Sequence, residues 1–134
     1  MTTTFRRRVE VVTDFICGIG DLDFDRVSAQ LADEAVMLAP FVDDMPPAQG
    51  RPAIVDRLRS TVPHMFERMN FTFDQWYNVS ESDTVIAEYH SDCPLKARDG
   101  NYQNSYITVF QFEGDKIVLF KEFFNPARMA ALFS

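Results

Sequence analysis

The sequence predicts an α+β domain in which a cone-shaped, curved antiparallel sheet wraps around three N-terminal helices and a short helix follows the sheet. Two observations carry this prediction. Apolar residues in the first half recur at helical spacing, and turn sequences divide the second half into four long strands. No repeat or linker interrupts the 134 residues, so we expect a single domain over residues 1–134.

The first predicted helix begins near Phe5 and ends at Gly18 and Gly20. Its apolar positions lie three or four residues apart, which places them on one helical face. These positions are Val9, Val12, Ile16 and Ile19. The pattern predicts a helix with one side buried against the rest of the domain.

The second and third helices are separated by a short strand and a loop. Asp23 is a suitable N-cap for a short helix that continues through Leu31. The apolar run over residues 36–41 predicts a strand, and a proline-rich loop follows it. Gly50 then leads into the third helix, with Pro52 in its first turn.

Four strands are predicted in the second half, over residues 71–79, 84–95, 101–112 and 116–124. Asp99-Gly100 is a strong signal for a two-residue hairpin turn, and Gly114-Asp115 separates the last two strands. Asn125 is a suitable cap for the final helix, because it directly precedes a proline.

The strand sequence VIAEYHSDC (85–93) carries Glu88, His90 and Asp92 at alternate positions, a combination suited to proton transfer. Alternate residues of a strand share one face. The opposite face is mostly apolar and consists of Val85, Ala87, Tyr89, Ser91 and Cys93. Charged side chains are rarely buried, so we expect the three charged residues to lie on the outer face of the sheet.

A two-residue turn at Asp99-Gly100 also predicts which residues pair across the hairpin. On the inner face it pairs Tyr89 with Phe110, Ser91 with Thr108, and Cys93 with Tyr106. On the outer face it pairs Glu88 with Gln111, His90 with Val109, and Asp92 with Ile107. These mixed polar and apolar rows fit either a hydrated dimer interface or a solvated surface.

The last strand is apolar on both faces, so periodicity leaves two orientations open. A strict two-residue turn places Lys121 opposite Thr108, whereas a three-residue turn or a bulge places Glu122 there. In the second case Ser91, Thr108 and Glu122 would lie side by side across three strands. A single carboxyl group among aromatic rings and hydroxyls would have a raised pKa and could act as an acid.

Nearly the whole chain resembles the nuclear transport factor 2-like, or SnoaL-like, superfamily. The resemblance rests on the three helices, the GRPAI motif (50–54) and the closing segment YQNSYITVFQFEGDKIVLFKEFFNP (102–126). It implies a curved sheet around helices, a deep apolar pocket and usually a dimer. The closing segment is most similar to the phenazine-biosynthesis A/B proteins, and the loop MPPAQGRPAI (45–54) is closer to limonene epoxide hydrolase.

The resemblance assigns some catalytic positions and leaves others unmatched. The acid glutamate of the phenazine proteins and one catalytic aspartate of the epoxide hydrolase both fall on Glu122, which favours the inward orientation. The hydrolase's other two catalytic residues fall on Tyr89 and Ser91, so its charged triad is not matched. The ketosteroid isomerase base falls on Ala39, and the helix histidine of the phenazine proteins falls on Ile54.

We therefore expect an apolar pocket in which Glu122 is the catalytic acid or base. The expected ligand-binding residues are Tyr89, Ser91, Asn104, Tyr106 and Thr108, with Phe15, Phe41 and Phe120 as pocket walls. The expected ligand is small and apolar or polycyclic, and the expected reaction is an isomerisation, cyclisation or condensation without a cofactor. The alternative is a carrier or sensor that binds a ligand in the same pocket without chemistry.

Composition restricts the partners and the compartment. The formal net charge of −7 disfavours nucleic acid, and no apolar run approaches the ~20 residues of a membrane helix. Cys17 and Cys93 have neither disulfide nor metal-site spacing. We expect a cytoplasmic homodimer that pairs through the outer sheet face, with no metal, no cofactor, no nucleic acid and no membrane association.

Overall fold

The computed structural model describes residues 2–133. Its helices are α1 (Thr3–Gly20), α2 (Phe24–Ala29), α3 (Arg51–Met65) and α4 (Pro126–Ala130), and a 3₁₀ turn (Ala131–Phe133) follows α4. Its strands are β1 (Leu31–Leu38), β2 (Ala48–Gln49), β3 (Phe71–Asn78), β4 (Thr84–Pro94), β5 (Asn101–Glu113) and β6 (Lys116–Phe124). Within this range, no helix is both long and apolar enough to cross a bilayer.

The strands form one curved sheet in the order β2-β1-β6-β5-β4-β3. The α+β fold class is confirmed, and β3 to β6 form the predicted antiparallel meander. The sheet is mixed, however, because β1 runs parallel to β6, with Met37 beside Phe120. Helix α3 and four strands separate β1 from β6 in sequence, so no local turn signal could reveal their relative direction.

The caps of the two short helices are confirmed. The side chain of Asp23 accepts a hydrogen bond from the N–H of Arg26 at 3.2 Å, and Asn125 accepts one from the N–H of Ala127 at 3.0 Å. Each bond satisfies a backbone donor that the first turn of a helix leaves free. The second cap fixes where the chain turns from β6 into α4.

Gly20, the last residue of α1, allows close packing and does not form a left-handed cap. The helix ends at Gly20 as predicted, but the following cap residue, Asp21, has a φ of −86°. The N–H of Met69 donates to the carbonyl of Gly20 at 3.0 Å. A Cβ atom on Gly20 would lie 2.3 Å from the Met69 carbonyl oxygen, so a side chain there would force the two segments apart.

The predicted boundary between the second helix and the first strand is wrong. Helix α2 ends at Ala29, and β1 begins at Leu31 and ends at Leu38, before the predicted end at residue 41. Long-range pairing decides this boundary, because the N–H of Ile117 donates to the carbonyl of Gln30 at 2.9 Å and Leu31 pairs with Ile117. These partners lie far away in the sequence, so the local pattern did not reveal them.

The predicted register between β4 and β5 is also wrong, by four residues. Tyr89 pairs with Tyr106, Ser91 with Asn104, and Cys93 with Tyr102. The outer-face pairs are Glu88 with Ile107, His90 with Ser105, and Asp92 with Gln103.

Contacts with the end of α3 explain this shift. Leu95 forms a β-bridge with Phe66, and the N–H of Lys96 donates to the carbonyl of Met65 at 3.0 Å. These contacts hold residues 96–99 in a four-residue loop, which the N–H of Leu95 closes by donating to the carbonyl of Gly100 at 3.0 Å. A shift of four is even, so each side chain keeps its predicted face.

Candidate active site

A cavity of about 190 Å³ lies between α1, α3, the inner face of the sheet and the C-terminal segment. Its walls are mostly apolar, with Leu58 and Val62 from α3, Phe120 and Phe124 from β6, and Leu132 from the 3₁₀ turn. The cavity is lined by only two formally charged side chains within residues 2–133, Arg57 and Glu122. It is therefore suited to a ligand that is mainly apolar.

Methionines from separate segments of the chain line this cavity. All five methionines of the described range line it, and they are Met37, Met45, Met65, Met69 and Met129. Their unbranched, polarisable side chains adapt to irregular shapes and contact aromatic rings favourably. Sequence reasoning missed them, because they lie in separate segments and share no spacing. Their number in the composition was the only available signal.

A bulge turns Glu122 toward the cavity. The β5–β6 pairing begins with Glu113 opposite Lys116 and then shifts by one residue between Gln111 and Phe112. After this shift Thr108 pairs with Glu122. The register expected from a bulge is confirmed, and the one that places Lys121 opposite Thr108 is wrong.

The inner-face row around Glu122 differs in one member from the expected one. Thr108 lies between Ala87 and Glu122, so Ser91 is not in this row. The difference follows directly from the four-residue shift in the β4–β5 register.

A hydrogen-bond chain supports the Glu122 carboxyl group. The hydroxyl of Tyr89 donates to Oε2 of Glu122 at 3.4 Å and lies 2.8 Å from Oγ1 of Thr108. Because the Tyr89 proton points to Glu122, the Thr108 hydroxyl is the donor in the second contact. Burial raises the pKa of Glu122 to about 7, although the hydrogen bond from Tyr89 lowers it.

The tyrosines near Glu122 remain protonated at neutral pH. Burial raises the pKa of Tyr89 well above its usual value, and burial also raises the pKa of Tyr106. Their rings stack with centroids 4.8 Å apart and an interplanar angle of 11°. Both hydroxyls therefore serve as hydrogen-bonding groups, whereas the Glu122 carboxyl group changes its protonation state near pH 7.

The expected site residues fall into three groups. Glu122, Tyr106 and Phe120 line the cavity. Tyr89, Ser91, Asn104, Thr108 and Phe15 are buried behind its wall. Phe41 alone forms the third group. It is 63% exposed and packs edge-on against Phe123 at 5.2 Å, so the expectation that it walls the pocket is wrong.

The residues behind the wall hold the lining residues in place. Ser91 Oγ lies 2.9 Å from the Tyr106 hydroxyl. Asn104 Nδ2 donates to the Tyr102 hydroxyl and to the Asn125 carbonyl, while its Oδ1 accepts from the N–H groups of Ser105 and Asn125. These four bonds use the whole amide group of Asn104. The geometry therefore gives Asn104 a supporting position, not a contact with the cavity.

Phe15 belongs to the core beneath the cavity. Its ring makes edge contacts with Phe110 at 6.3 Å and with Phe120 at 5.0 Å. This packing fixes helix α1 against β5 and β6, and it orients the Phe120 side chain that does line the cavity.

The charged residues of VIAEYHSDC lie on the outer face, as predicted. Glu88 accepts from the Tyr77 hydroxyl, and Asp92 accepts from Asn101 Nδ2. His90 Nδ1 lies 2.7 Å from Oδ2 of Asp74. None of these outer-face residues lines the cavity. Within residues 2–133, no three His, Cys, Asp or Glu side chains are grouped as a metal site would require.

The model of the SnoaL-like domain family matches residues 12–120 of the chain. The chain belongs to this family. The expected resemblance is thereby confirmed, and the cavity described above is the inner pocket of a SnoaL-like domain.

Solved structures share this fold over nearly the whole chain. A Bacillus subtilis protein whose name proposes an isomerase has 24% sequence identity and a TM-score of 0.89, with 98% of this chain and 96% of that chain covered. A phenazine biosynthesis-related protein (PhzB2) of Pseudomonas aeruginosa has 14% identity and a TM-score of 0.80, with coverage of 96% and 86%. At these identities the likeness shows the fold alone.

An epoxide hydrolase resembles this SnoaL-like domain to a similar degree. The LEH-like epoxide hydrolase of Mycobacterium tuberculosis has 17% identity and a TM-score of 0.76, with 96% of this chain and 90% of that chain covered. The predicted likeness to the phenazine and epoxide hydrolase proteins is therefore confirmed at the level of structure. The chemistry of this chain has to be argued from its own site.

Proposed function

We propose that this SnoaL-like domain binds a small, mostly apolar or polycyclic ligand and catalyses a cofactor-free acid-base step on it. The step would be an isomerisation, a cyclisation or a condensation, with Glu122 as the proton-transferring residue. The observation that carries the proposal is a carboxyl group in an apolar cavity with a pKa of about 7.

A pKa near neutrality suits both directions of proton transfer. A carboxyl group with this pKa is partly protonated and partly ionised at neutral pH, so it can donate or accept a proton without a large free-energy cost. The hydroxyl of Tyr89 donates to Oε2 of Glu122, and this hydrogen bond orients the carboxyl group. The apolar walls exclude water, which strengthens the electrostatic interaction between the carboxyl group and a bound ligand.

Two neighbours in fold support an enzymatic function. One has a name that proposes an isomerase, and another is an epoxide hydrolase. The charged triad of limonene epoxide hydrolase is not matched here, because Tyr89 and Ser91 occupy two of its positions. Proton transfer by Glu122 alone therefore fits this chain better than epoxide hydrolysis.

Hydrogen–deuterium exchange on a bound carbonyl compound tests this proposal. Polycyclic ketones in D₂O would exchange the hydrogen next to the carbonyl when the protein removes it, and NMR would follow the loss of that signal. We expect Glu122→Gln to slow the protein-catalysed exchange by about 10²-fold or more. Glu88→Gln is the matched control on the outer face and should exchange at the native rate. Equal rates for native protein and Glu122→Gln would rule out the role of Glu122.

A ligand carrier or sensor is the second candidate function. It is favoured by the cavity lining, which within residues 2–133 includes one ionisable carboxyl group, that of Glu122. Mass spectrometry of ligand extracted from the purified protein distinguishes the two functions. A ligand recovered unaltered after long incubation, with no product, would support the carrier.

The outer sheet face is the proposed homodimer interface. Ile107 is 51% exposed, and Phe41 packs beside it on Phe123 around a shallow groove. We expect Ile107→Glu to convert a dimer into a monomer in sedimentation equilibrium, because the substitution would bury a charge in the interface. A native monomer would contradict this assignment.

The single-domain organisation and the cytoplasmic location also remain proposals. Cys17 and Cys93 are both free thiols, which fits a reducing compartment.

A further inference from the structure

Arg57 is the second charged side chain of the cavity, and the proposed acid-base step does not use it. It lies on α3, next to Leu58, and lines the cavity with Thr61 and Met65 of the same helix. Its side chain is half-buried. A guanidinium group is a strong hydrogen-bond donor to carboxylate and phosphate oxygens, so an anionic group of a ligand in the cavity would be a suitable partner for it.

The other two arginines of α3 show what is missing at Arg57. Arg51 forms an ion pair with Asp33 at 2.8 Å. Arg59 lies 4.0 Å from Asp56 and above the ring of Phe24. Within residues 2–133, the guanidinium group of Arg57 has no hydrogen-bond or ion-pair partner. An arginine that lines a cavity and has no acceptor within the protein has its guanidinium donors available for a ligand.

Arg57 and Glu122 occupy different parts of the cavity. Arg57 lines the cavity from α3, and Glu122 lines it from β6. The other lining residues are mostly apolar. A ligand that reaches both would present a different group to each.

We propose that Arg57 binds a carboxylate group of the ligand, so that the substrate is an apolar, cyclic carboxylic acid whose uncharged part extends to Glu122. The planar guanidinium fork matches the two oxygens of a carboxylate. The apolar lining accommodates the ring system between the two polar ends. This inference rests on the proposed function only in taking the cavity as the ligand site.

Matched acids and amides test this assignment. The probes are 2-naphthoic acid, biphenyl-4-carboxylic acid and anthracene-2-carboxylic acid, each compared with its primary amide by calorimetry at neutral pH. A charge-assisted hydrogen bond corresponds to roughly a tenfold or larger difference in affinity. We expect native protein to bind at least one acid about tenfold more tightly than its amide, and Arg57→Gln to reduce that preference to about twofold or less.

Three control variants separate the possible failures. Arg59→Gln removes a charge from the same helix outside the cavity and should retain the native preference. Arg57→Lys keeps a cation without the planar fork and should retain part of it. Glu122→Gln should retain the acid preference even if it abolishes catalysis, which separates this inference from the proposed reaction.

Two results would overturn the inference. One is native protein that binds no acid of the series more tightly than its amide. The other is a preference that persists in Arg57→Gln, provided that circular dichroism shows this variant to be folded. If Arg57→Gln does not fold, a native-sized preference in Arg57→Lys would likewise exclude recognition by the guanidinium fork.

Discussion

Two tyrosine–glutamate pairs lie on opposite faces of the same sheet. On the outer face, the hydroxyl of Tyr77 donates to Glu88 at 2.5 Å, and both side chains contact solvent. On the inner face, the hydroxyl of Tyr89 donates to Glu122 at 3.4 Å beside the cavity. The two pairs have the same chemistry, yet the longer contact belongs to the candidate site.

Burial accounts for the difference between these pairs. In the outer pair, the neighbouring carboxylate of Glu88 raises the pKa of the Tyr77 phenol. In the inner pair, removal from water raises the pKa of the Glu122 carboxyl group to about 7. Hydrogen-bond length is thus a poor guide to catalytic potential here. The free-energy cost of holding a charge away from water decides which carboxyl group can exchange a proton near neutral pH.

The largest expected effect is on the pH dependence of stability. The native pKa of Glu122, about 7, lies above the ordinary value of 4.5. Between these values the native protein retains a proton that the unfolded chain has released, so stability falls as pH rises through this window. The loss amounts to about 3 kcal/mol. Glu122→Gln does not titrate and should gain this amount relative to native protein.

Urea unfolding below and above this pH window measures the effect. The difference in unfolding free energy between Glu122→Gln and native protein should grow by about 3 kcal/mol from acid to alkaline pH. Glu88→Gln, the outer-face counterpart, should leave the native pH dependence in place. A difference that stays constant with pH would show that Glu122 is not buried as the comparison requires.

An intermediate effect is expected when the tyrosine of each pair is replaced by phenylalanine. Tyr89→Phe removes the donor to Glu122 and leaves the Thr108 hydroxyl without its partner in a buried site. The loss should be about 1–3 kcal/mol of unfolding free energy. The pKa of Glu122 should rise further, because the lost hydrogen bond lowers it.

Tyr77→Phe is the control for this substitution. Its hydroxyl is solvated, so water replaces the lost bond and little or no change in stability is expected. Similar losses in Tyr77→Phe and Tyr89→Phe would mean that the two faces do not differ as described.

The smallest effect is expected from the exposed contact between His90 of the VIAEYHSDC strand and Asp74. His90 and Asp74 are each about half exposed, at 47% of their side-chain surface. Replacing His90 by asparagine should change the unfolding free energy by less than about 1 kcal/mol. It should leave the affinity for the aromatic acids unchanged. Loss of ligand binding in this variant would contradict the assignment of these charged residues to the outer face.

The sequence predicts well those features that depend on local pattern. Alternation along VIAEYHSDC places Glu88, His90 and Asp92 on the outer face, and the structure agrees. The assignment to faces is correct although the predicted β4–β5 register is wrong, because a shift of four residues preserves the face of every side chain. The register itself depends on the four-residue loop over residues 96–99, and Leu95 beside this loop contacts Phe66, which is distant in sequence.

The orientation of Glu122 shows the limit of local pattern. Strand β6 is apolar on both faces, so its alternation carried no information about which side of the sheet Glu122 occupies. A bulge of one residue beside Gln111 decides it, and the family resemblance favoured the same result. Arg57 and the methionines were missed for a related reason, since the cavity brings together segments whose closeness is visible only in the folded chain.

The central claim is that Glu122 has a carboxyl group that titrates near neutral pH, whereas Glu88 on the opposite face does not share its buried environment. Selective ¹³C labelling of glutamate side chains, with Glu122→Gln for assignment, allows NMR to follow the Glu122 carboxyl carbon through a pH titration. We predict a midpoint at a pH of about 7. A midpoint near the ordinary glutamate value of 4.5 would contradict the account.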